Sequence, residues 1–267
     1  MNKLIHFTKT DKIKFDKPQL EFPKLGDDIQ LISDSSNIYE QLLKLDVEYV
    51  IFGIHENVGA FANRYNTGSY NLWKSIIKVL LNTKKSNLNT SDRFTILGFL
   101  DFSEEIEEIT NLDINKFNNI KKARKLVSEI DKSVTQVIHD IVKAGKKPIL
   151  VGGGQNNAYG CIKGTALALN QSVNAVNLDF RADFGLEEGR HNGNGFAYAF
   201  AEGFLNKYFV FGLKEINISD YIFKRISKLK KRVQFNTFES IKIRKELNLK
   251  DENKLALEFV SDSPYGV

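Results

Sequence analysis

Short apolar runs alternate with amphipathic stretches along most of the chain. After a polar arm over residues 1–36, which we expect to be irregular, the apolar runs are typical of buried strands and cover residues 47–54, 94–100, 147–153, 173–179, 208–213 and 232–238. Helical patterning falls at residues 70–82, 120–144, the second half of 154–170 and 251–260. Apolar strands that alternate with helices indicate a parallel sheet covered on both faces. The pattern therefore predicts an α/β fold over residues 37–267, with three α/β/α layers around a mostly parallel central sheet.

The last residues raise a question about the edge of this sheet. A helical stretch at 251–260 leads into "SDSPYGV", which turns toward what we expect to be another strand. A sheet without its next strand exposes an apolar edge. We therefore expect either that the chain continues beyond Val267 or that another chain covers this edge.

The composition indicates the cellular compartment and excludes some classes of binding partner. Cys161 is the single cysteine, so an intrachain disulfide is excluded and a reducing, cytoplasmic compartment is expected. No apolar run is long enough for a signal peptide or a membrane span, so no membrane partner is expected. The net charge of +5 comes from dispersed lysines, most densely at residues 224–232, which are typical of a solvated helix face. Without aromatic residues among them, they predict no nucleic-acid partner.

Ligands of parallel sheets bind outside the carboxyl ends of the strands, so the loops there are the first place to look for chemistry. After the third predicted strand comes "VGGGQNNAYG", in which Gly152 and Gly154 begin a G-x-G pattern. Asp179 ends the next strand, where a ribose-binding acid would fall in a dinucleotide site. Asn157 stands where the third glycine would be. Nucleotide binding is therefore a weaker hypothesis than the two described below.

The fourth predicted strand leads into "VNLDFRADF", which alternates Asp179, Arg181 and Asp183. On an extended chain the two acids would lie about 13 Å apart, too far to share one ion. If the loop curls back they can converge, but the Arg181 guanidinium can converge with them and compete with a cation for the same oxygens. The next loop, "EGRHNGNGFAYAF", contains two Asn-Gly turns and His191, a lone polar-loop histidine of the kind usually found at the surface.

Taken together, these segments resemble the ureohydrolases, that is arginase, agmatinase and especially the formimidoylglutamase-like branch. The resemblance rests on residues 50–82, on "ILVGGGQNNAYGCIKG", on "VNLDFRADF" and on "EGRHNGNGFAYAF". It implies an arginase-like domain over residues 37–267 that lacks its last strands, and a homo-oligomer. It also implies hydrolysis of linear amidines such as formimidoylglutamate, arginine or agmatine. Two Mn²⁺ ions would hold the attacking hydroxide, with Asp179 and Asp183 at metal positions and His191, Asn192 and Asn194 in a loop beside the substrate.

The sequence departs from the family pattern at the metal ligands. Gln155 stands where the Gly-Gly-x-His segment has its histidine, and an amide oxygen is a poorer ligand than imidazole. Arg181 stands at the central histidine of Asp-x-His-x-Asp and has no lone pair to offer. The family's last aspartate pair would follow near Val267.

These departures predict a degraded manganese site in an inactive or impaired protein that still binds a small polar amidine or amino-acid ligand. The alternative hypothesis is an active metal-dependent hydrolase that uses Asp179, Asp183 and His191. The sequence assigns no catalytic residue under either hypothesis.

Overall fold

A computed structural model describes residues 3–17, 21–33, 36–65 and 72–263. The strands are β1 (Leu4–His6), β2 (Tyr49–His55), β3 (Phe94–Asp101), β4 (Lys147–Val151), β5 (Val173–Leu178), β6 (Leu205–Leu213) and β7 (Val233–Thr237). The helices are α1 (Lys9–Phe15), α2 (Ile38–Lys44), α3 (Val58–Ala62), α4 (Leu72–Leu81), α5 (Ser103–Thr110), α6 (Phe117–Lys143), α7 (Asn157–Leu169), α8 (Gly195–Ala201), α9 (Asp220–Lys228) and α10 (Leu249–Val260). A 3₁₀ turn spans Glu215–Asn217 and a π-helical turn spans Glu239–Ile243. The predicted α/β class is confirmed.

The described strands form two sheets, in the orders β1-β3-β2-β4 and β5-β6-β7. Pairing is parallel throughout both sheets except for β1, which runs antiparallel to β3. β4 and β5 each pair with one described strand and present their other edge unpaired. Apolar side chains are exposed on these strands, with Ile149 42% and Leu178 81% accessible. An open apolar edge was expected from the sequence, but not that it would lie at β4 and β5, the end strands of two separate sheets.

Both sheets are covered on two faces, as the three-layer prediction requires. On the first sheet, Phe52 and Ile54 pack into a core with residues of α2 and α6, while Ile51 on the opposite face packs with Trp73 of α4. On the second sheet, residues of α7, α8 and α9 cover one face and residues of α10 cover the other. None of the described helices is both long and apolar enough to cross a membrane.

The prediction of an irregular arm over residues 1–36 was wrong for β1 and α1. β1 pairs with β3, where Gly98 has φ +133° and a Cβ at that position would lie 2.1 Å from the carbonyl oxygen of Ile5. The helix α1 begins with a capping box in which Thr8 and Asp11 bond each other's backbone N–H. The polar pattern concealed both elements because β1 has three residues and α1 buries none.

Candidate functional site

The loops that follow β2, β4 and β5 meet at one rim, because parallel strands bring their carboxyl ends to the same edge. Gln155, which follows β4, donates from Nε2 to Asn177 Oδ1 on β5 at 3.1 Å. Glu56, which follows β2, accepts from the backbone N–H of Gly154 at 2.7 Å. The rim therefore gathers loops from both sheets, and it contains most of the site residues predicted from the sequence.

The loop that contains the two aspartates curls back instead of extending β5. The backbone N–H of Arg181 donates to Asp179 Oδ1 at 2.9 Å, which tightens the turn. The hydroxyl of Tyr208 donates to the carbonyl of Ala182 at 2.7 Å, and Asp183 has φ +43°. Of the two geometries considered from the sequence, the curled one is present.

Asp183 is a buried carboxyl group with one side unsatisfied. Its side chain is 4% exposed, and Oδ2 has no hydrogen-bond partner among the described residues. Burial, and after it the charge of Asp179, raises the pKa of Asp183 to about 7, and Arg181 opposes the rise. This carboxyl group therefore binds a proton near neutral pH unless a cation replaces it.

Arg181 places its charge beside this carboxyl group but binds it loosely. Its Nε lies 3.9 Å from Asp183 Oδ1, and its side chain is 46% exposed. Its guanidinium carbon also lies 6.0 Å from the ring centre of Tyr65, within the range of a cation–π contact. A permanent cation thus lies at the mouth of the aspartate loop and remains accessible to solvent.

The donors at this rim do not fit a pair of divalent ions. The described residues contain no cluster of three or more His, Cys, Asp or Glu side chains able to hold a metal. The Gln155 amide donates to Asn177, whose own amide donates to the Tyr208 hydroxyl at 3.0 Å. Of the predicted metal ligands, Asp179 and Asp183 remain, and the Arg181 guanidinium beside Asp183 repels cations.

His191 is buried, at 5% exposure, so the expectation of a surface histidine was wrong. Its Nδ1 accepts from the backbone N–H of Gly193 at 3.1 Å, which places the ring proton of the neutral form on Nε2. Burial, followed by the charges of Arg124 and Arg190, lowers the pKa of His191 to about 4. The ring is therefore neutral at physiological pH, because the folded loop both buries it and surrounds it with positive charge.

One Asn side chain of the same loop joins it to the residue that follows α3, and another braces the loop internally. Asn192 Oδ1 accepts from Asn63 Nδ2 at 2.8 Å. Asn194 Nδ2 donates to the carbonyls of Leu186 and Gly189 at 2.8 and 2.9 Å. The part of His191, Asn192 and Asn194 in substrate binding stays a prediction.

Arg190, which the sequence did not single out, links this loop to α6. It forms a bidentate ion pair with Asp131, at 2.8 Å from Nε and 3.2 Å from Nη2, and also donates to Asn194 Oδ1 at 2.6 Å. Its guanidinium lies 4.7 Å from the ring centre of Tyr159 and 5.1 Å from that of Tyr198. The signal in the sequence was Asp131 itself, an acid four residues after Val127 on the apolar stripe of a predicted helix.

Glu56 is a second functional candidate that the sequence reading missed, and it bears on the nucleotide hypothesis. It is fully buried, and its carboxylate accepts from Asn157 Nδ2 at 2.7 Å as well as from Gly154. Phosphate binding in a glycine-rich loop requires free backbone N–H groups. Here an acid of the protein already occupies the N–H of Gly154, which argues against a dinucleotide site at Gly152 to Asp179.

The parallel α/β fold, with polar loops at the carboxyl ends of its strands, is typical of α/β enzymes that bind ligands at that edge. Comparison with known sequences identifies the family. The profile of the arginase family matches residues 84–263. The chain belongs to the arginase family. It is 30% identical over 131 residues to a formimidoylglutamase of Streptococcus pyogenes serotype M3, a match that covers 46% of this chain and 40% of the relative. The match thus spans less than half the length of that relative.

Solved structures share the fold at low sequence identity. Formimidoylglutamase from Bacillus subtilis subsp. subtilis str. 168 superposes with a TM-score of 0.61 at 16% identity, over 97% of this chain and 74% of that one. Trypanosoma cruzi formiminoglutamase with Mn²⁺ superposes with a TM-score of 0.60 at 15% identity, over 85% and 72% of the two chains. At these identities the likeness establishes the fold alone.

Proposed function

We propose that this arginase-family protein binds a small polar amidine or amino-acid ligand at the carboxyl-end rim, and that its dinuclear manganese site is degraded. The observation that carries the proposal is the position of Arg181, whose Nε lies 3.9 Å from the buried Asp183 carboxylate. Arginine remains protonated at any ordinary pH, so its charge cannot be removed to admit metal ions. Gln155 supports the same conclusion, because its amide is bonded to Asn177.

Such a protein would bind the same class of ligand as a hydrolase of the family but would not catalyse its hydrolysis. A hydroxide held between two divalent ions is the nucleophile that the family likeness implies. Without enough anionic donors, that nucleophile is not formed at an effective rate. The rim still presents the partly exposed Asp179 carboxylate, the exposed Arg181 guanidinium and amide groups, which suit a polar ligand.

Metal stoichiometry tests this proposal. The protein would be incubated with Mn²⁺, dialysed and analysed for manganese per chain, while release of formamide, urea or ammonia is followed with formimidoylglutamate, arginine and agmatine. We expect fewer than two retained ions and no manganese-dependent turnover. Retention of about two ions per chain with turnover would overturn the proposal.

A second candidate function is an active hydrolase with a single metal. The observation that favours it is the unpartnered, buried Oδ2 of Asp183 close to Asp179. One ion held there, with His191 nearby in the chain, would give manganese-dependent release of product at a stoichiometry of about one. The experiment above distinguishes the two functions, because a binding protein gives no product whatever its metal content.

We further propose a cytoplasmic homo-oligomer in which the open edges of β4 and β5 are covered. The support is the exposure of apolar residues on both edges, since such edges invite pairing. Light scattering coupled to size-exclusion chromatography would report the mass in solution. A strictly monomeric protein at high concentration would overturn the oligomer.

A further inference from the structure

A recess of about 370 Å³ lies where β1, the end strand of the first sheet, meets α1 and α4. Phe99 on β3 pairs with Ile5 on β1, so both side chains lie on the same face of the sheet. Phe99 packs with Trp73 of α4, which covers this face. Ile5 is nevertheless 49% exposed, so the helices leave part of the face open. The volume is within the range of pockets that hold small ligands.

Four aromatic side chains line the recess, namely Phe7, Phe15, Trp73 and Phe99. The rings of Phe7 and Phe15 stack with their centres 6.2 Å apart, and those of Trp73 and Phe99 lie 6.4 Å apart. Aromatic rings attract one another beyond the effect of the area that they bury when their centres lie about 4.5–7 Å apart. These walls therefore favour a flat aromatic ring over an aliphatic group of similar size.

Two lysines and one aspartate also line the recess, and the aspartate is already engaged. Asp11 Oδ2 accepts from the backbone N–H and the hydroxyl of Thr8 at 3.1 and 2.6 Å, and Oδ1 pairs with Lys14 at 3.3 Å. Lys74 of α4 is exposed and forms no hydrogen bond or ion pair with the other residues that the structure describes. One positive charge at the recess is therefore left for a ligand.

We propose that this recess binds an aromatic carboxylate, with the ring between the aromatic walls and the acid group beside Lys74. A single unpaired lysine matches a singly charged acid. A phosphate carries more charge and is favoured by bidentate arginine or by several backbone N–H groups. The described residues that line the recess include no arginine. None of the rim residues lines it either, so this inference and the function proposed for the rim are independent.

Titrations with three matched compounds test the proposal on the intact protein. Phenylpropionate has the ring and the acid, its amide lacks the charge, and cyclohexylpropionate lacks the flat ring. Calorimetry would measure the three affinities. Trp73 is the single tryptophan of the chain, so its fluorescence emission reports whether a compound binds at this recess. We expect phenylpropionate to bind most tightly and to change that emission.

Two lysine variants of α4 test the position of the acid group. Lys74→Gln removes the charge at the recess, and Lys78→Gln removes an exposed charge one turn further along the helix, outside the recess. We expect Lys74→Gln to weaken phenylpropionate by about two- to fivefold, the size of an exposed ion pair, and to leave the amide unchanged. Lys78→Gln should leave both affinities unchanged.

Each part of the proposal has a result that overturns it. If the acid and its amide bind equally, or if the two lysine variants bind the acid equally, the acid group does not lie beside Lys74. If cyclohexylpropionate binds as tightly as phenylpropionate, the walls do not select an aromatic ring. Binding heat without a change in Trp73 emission would place the ligand elsewhere, and no binding of phenylpropionate at millimolar concentration would exclude the site.

Discussion

Arg190 and Asp131 form a buried bidentate ion pair that joins the loop before α8 to the middle of α6. Both side chains are 5% exposed, so removal of either partner leaves an uncompensated charge in the interior. We expect Arg190→Met to lower the free energy of unfolding by about 3–5 kcal/mol. Urea denaturation followed by circular dichroism would measure this loss.

An exposed pair on the same helix provides the control for this variant. Glu129 and Lys132 form an ion pair with side chains 62% and 71% exposed. We expect Glu129→Gln to change stability by less than about 1 kcal/mol, because solvent screens the pair. Equal losses for the two variants would mean that the Arg190 network contributes nothing beyond a surface contact.

Glu56 provides a second stability test, because its carboxylate holds the loops after β2 and β4 together. Its Oε1 accepts from Gly154 N and Asn157 Nδ2, both at 2.7 Å. Glu56→Gln removes the charge from these bonds and places an amide N–H group against neighbours that are themselves donors. We therefore expect the free energy of unfolding to fall by about 1–3 kcal/mol. Denaturation midpoints would be compared with those of Glu258→Gln, a change at a 67% exposed side chain of α10 that should alter stability by less than about 0.5 kcal/mol.

Asp183 should make stability depend on pH in an unusual direction. Its folded pKa is raised to about 7, so between the unfolded value of 3.8 and about 7 the folded state holds a proton that the unfolded state has released. This group therefore lowers stability as pH rises through that window. As the pH rises through this window, the Asp183→Asn variant should gain stability relative to wild type, by up to about 1.4 kcal/mol per pH unit. Asparagine also tolerates the left-handed backbone at this position.

Thermal unfolding of both proteins at intervals from pH 4 to pH 8 would measure the difference. The two curves should converge toward the acid end of the range. A difference that stays constant across the series would show that Asp183 is ionised in the folded protein throughout.

His191 should act in the opposite direction. Its folded pKa is lowered from 6.5 to about 4, so between those values the unfolded state binds a proton that the folded state does not. The contribution of His191 to stability is present above pH 6.5 and is lost as the pH falls toward 4. His191→Gln removes this loss, so the variant should gain stability relative to wild type on acidification. The same unfolding series would measure it, and a gain on raising the pH would contradict the assignment.

Much of the fold could be predicted from the sequence because strand and helix periodicity depends on local patterning. Continuous apolar runs marked β2 to β7, and α6 was predicted at 120–144 against Phe117–Lys143. The short β1 and the wholly unburied α1 lacked enough apolar residues to be recognised. The division into two sheets depends on which strands pair, and pairing is not encoded in the pattern of any one strand.

By itself the sequence determined which residue types occupy the rim, including Gln155 and Arg181 in place of histidines. The charge and hydrogen-bonding groups of a side chain are known from its residue type alone. Only the tertiary structure decided how these groups are arranged. It curled the aspartate loop so that Asp183 is buried, enclosed His191, and brought Glu56 to Gly154 and Asp131 to Arg190 from 98 and 59 residues away. Burial and long-range contacts set the pKa values and the bonding of these groups, and both arise only when distant segments pack together.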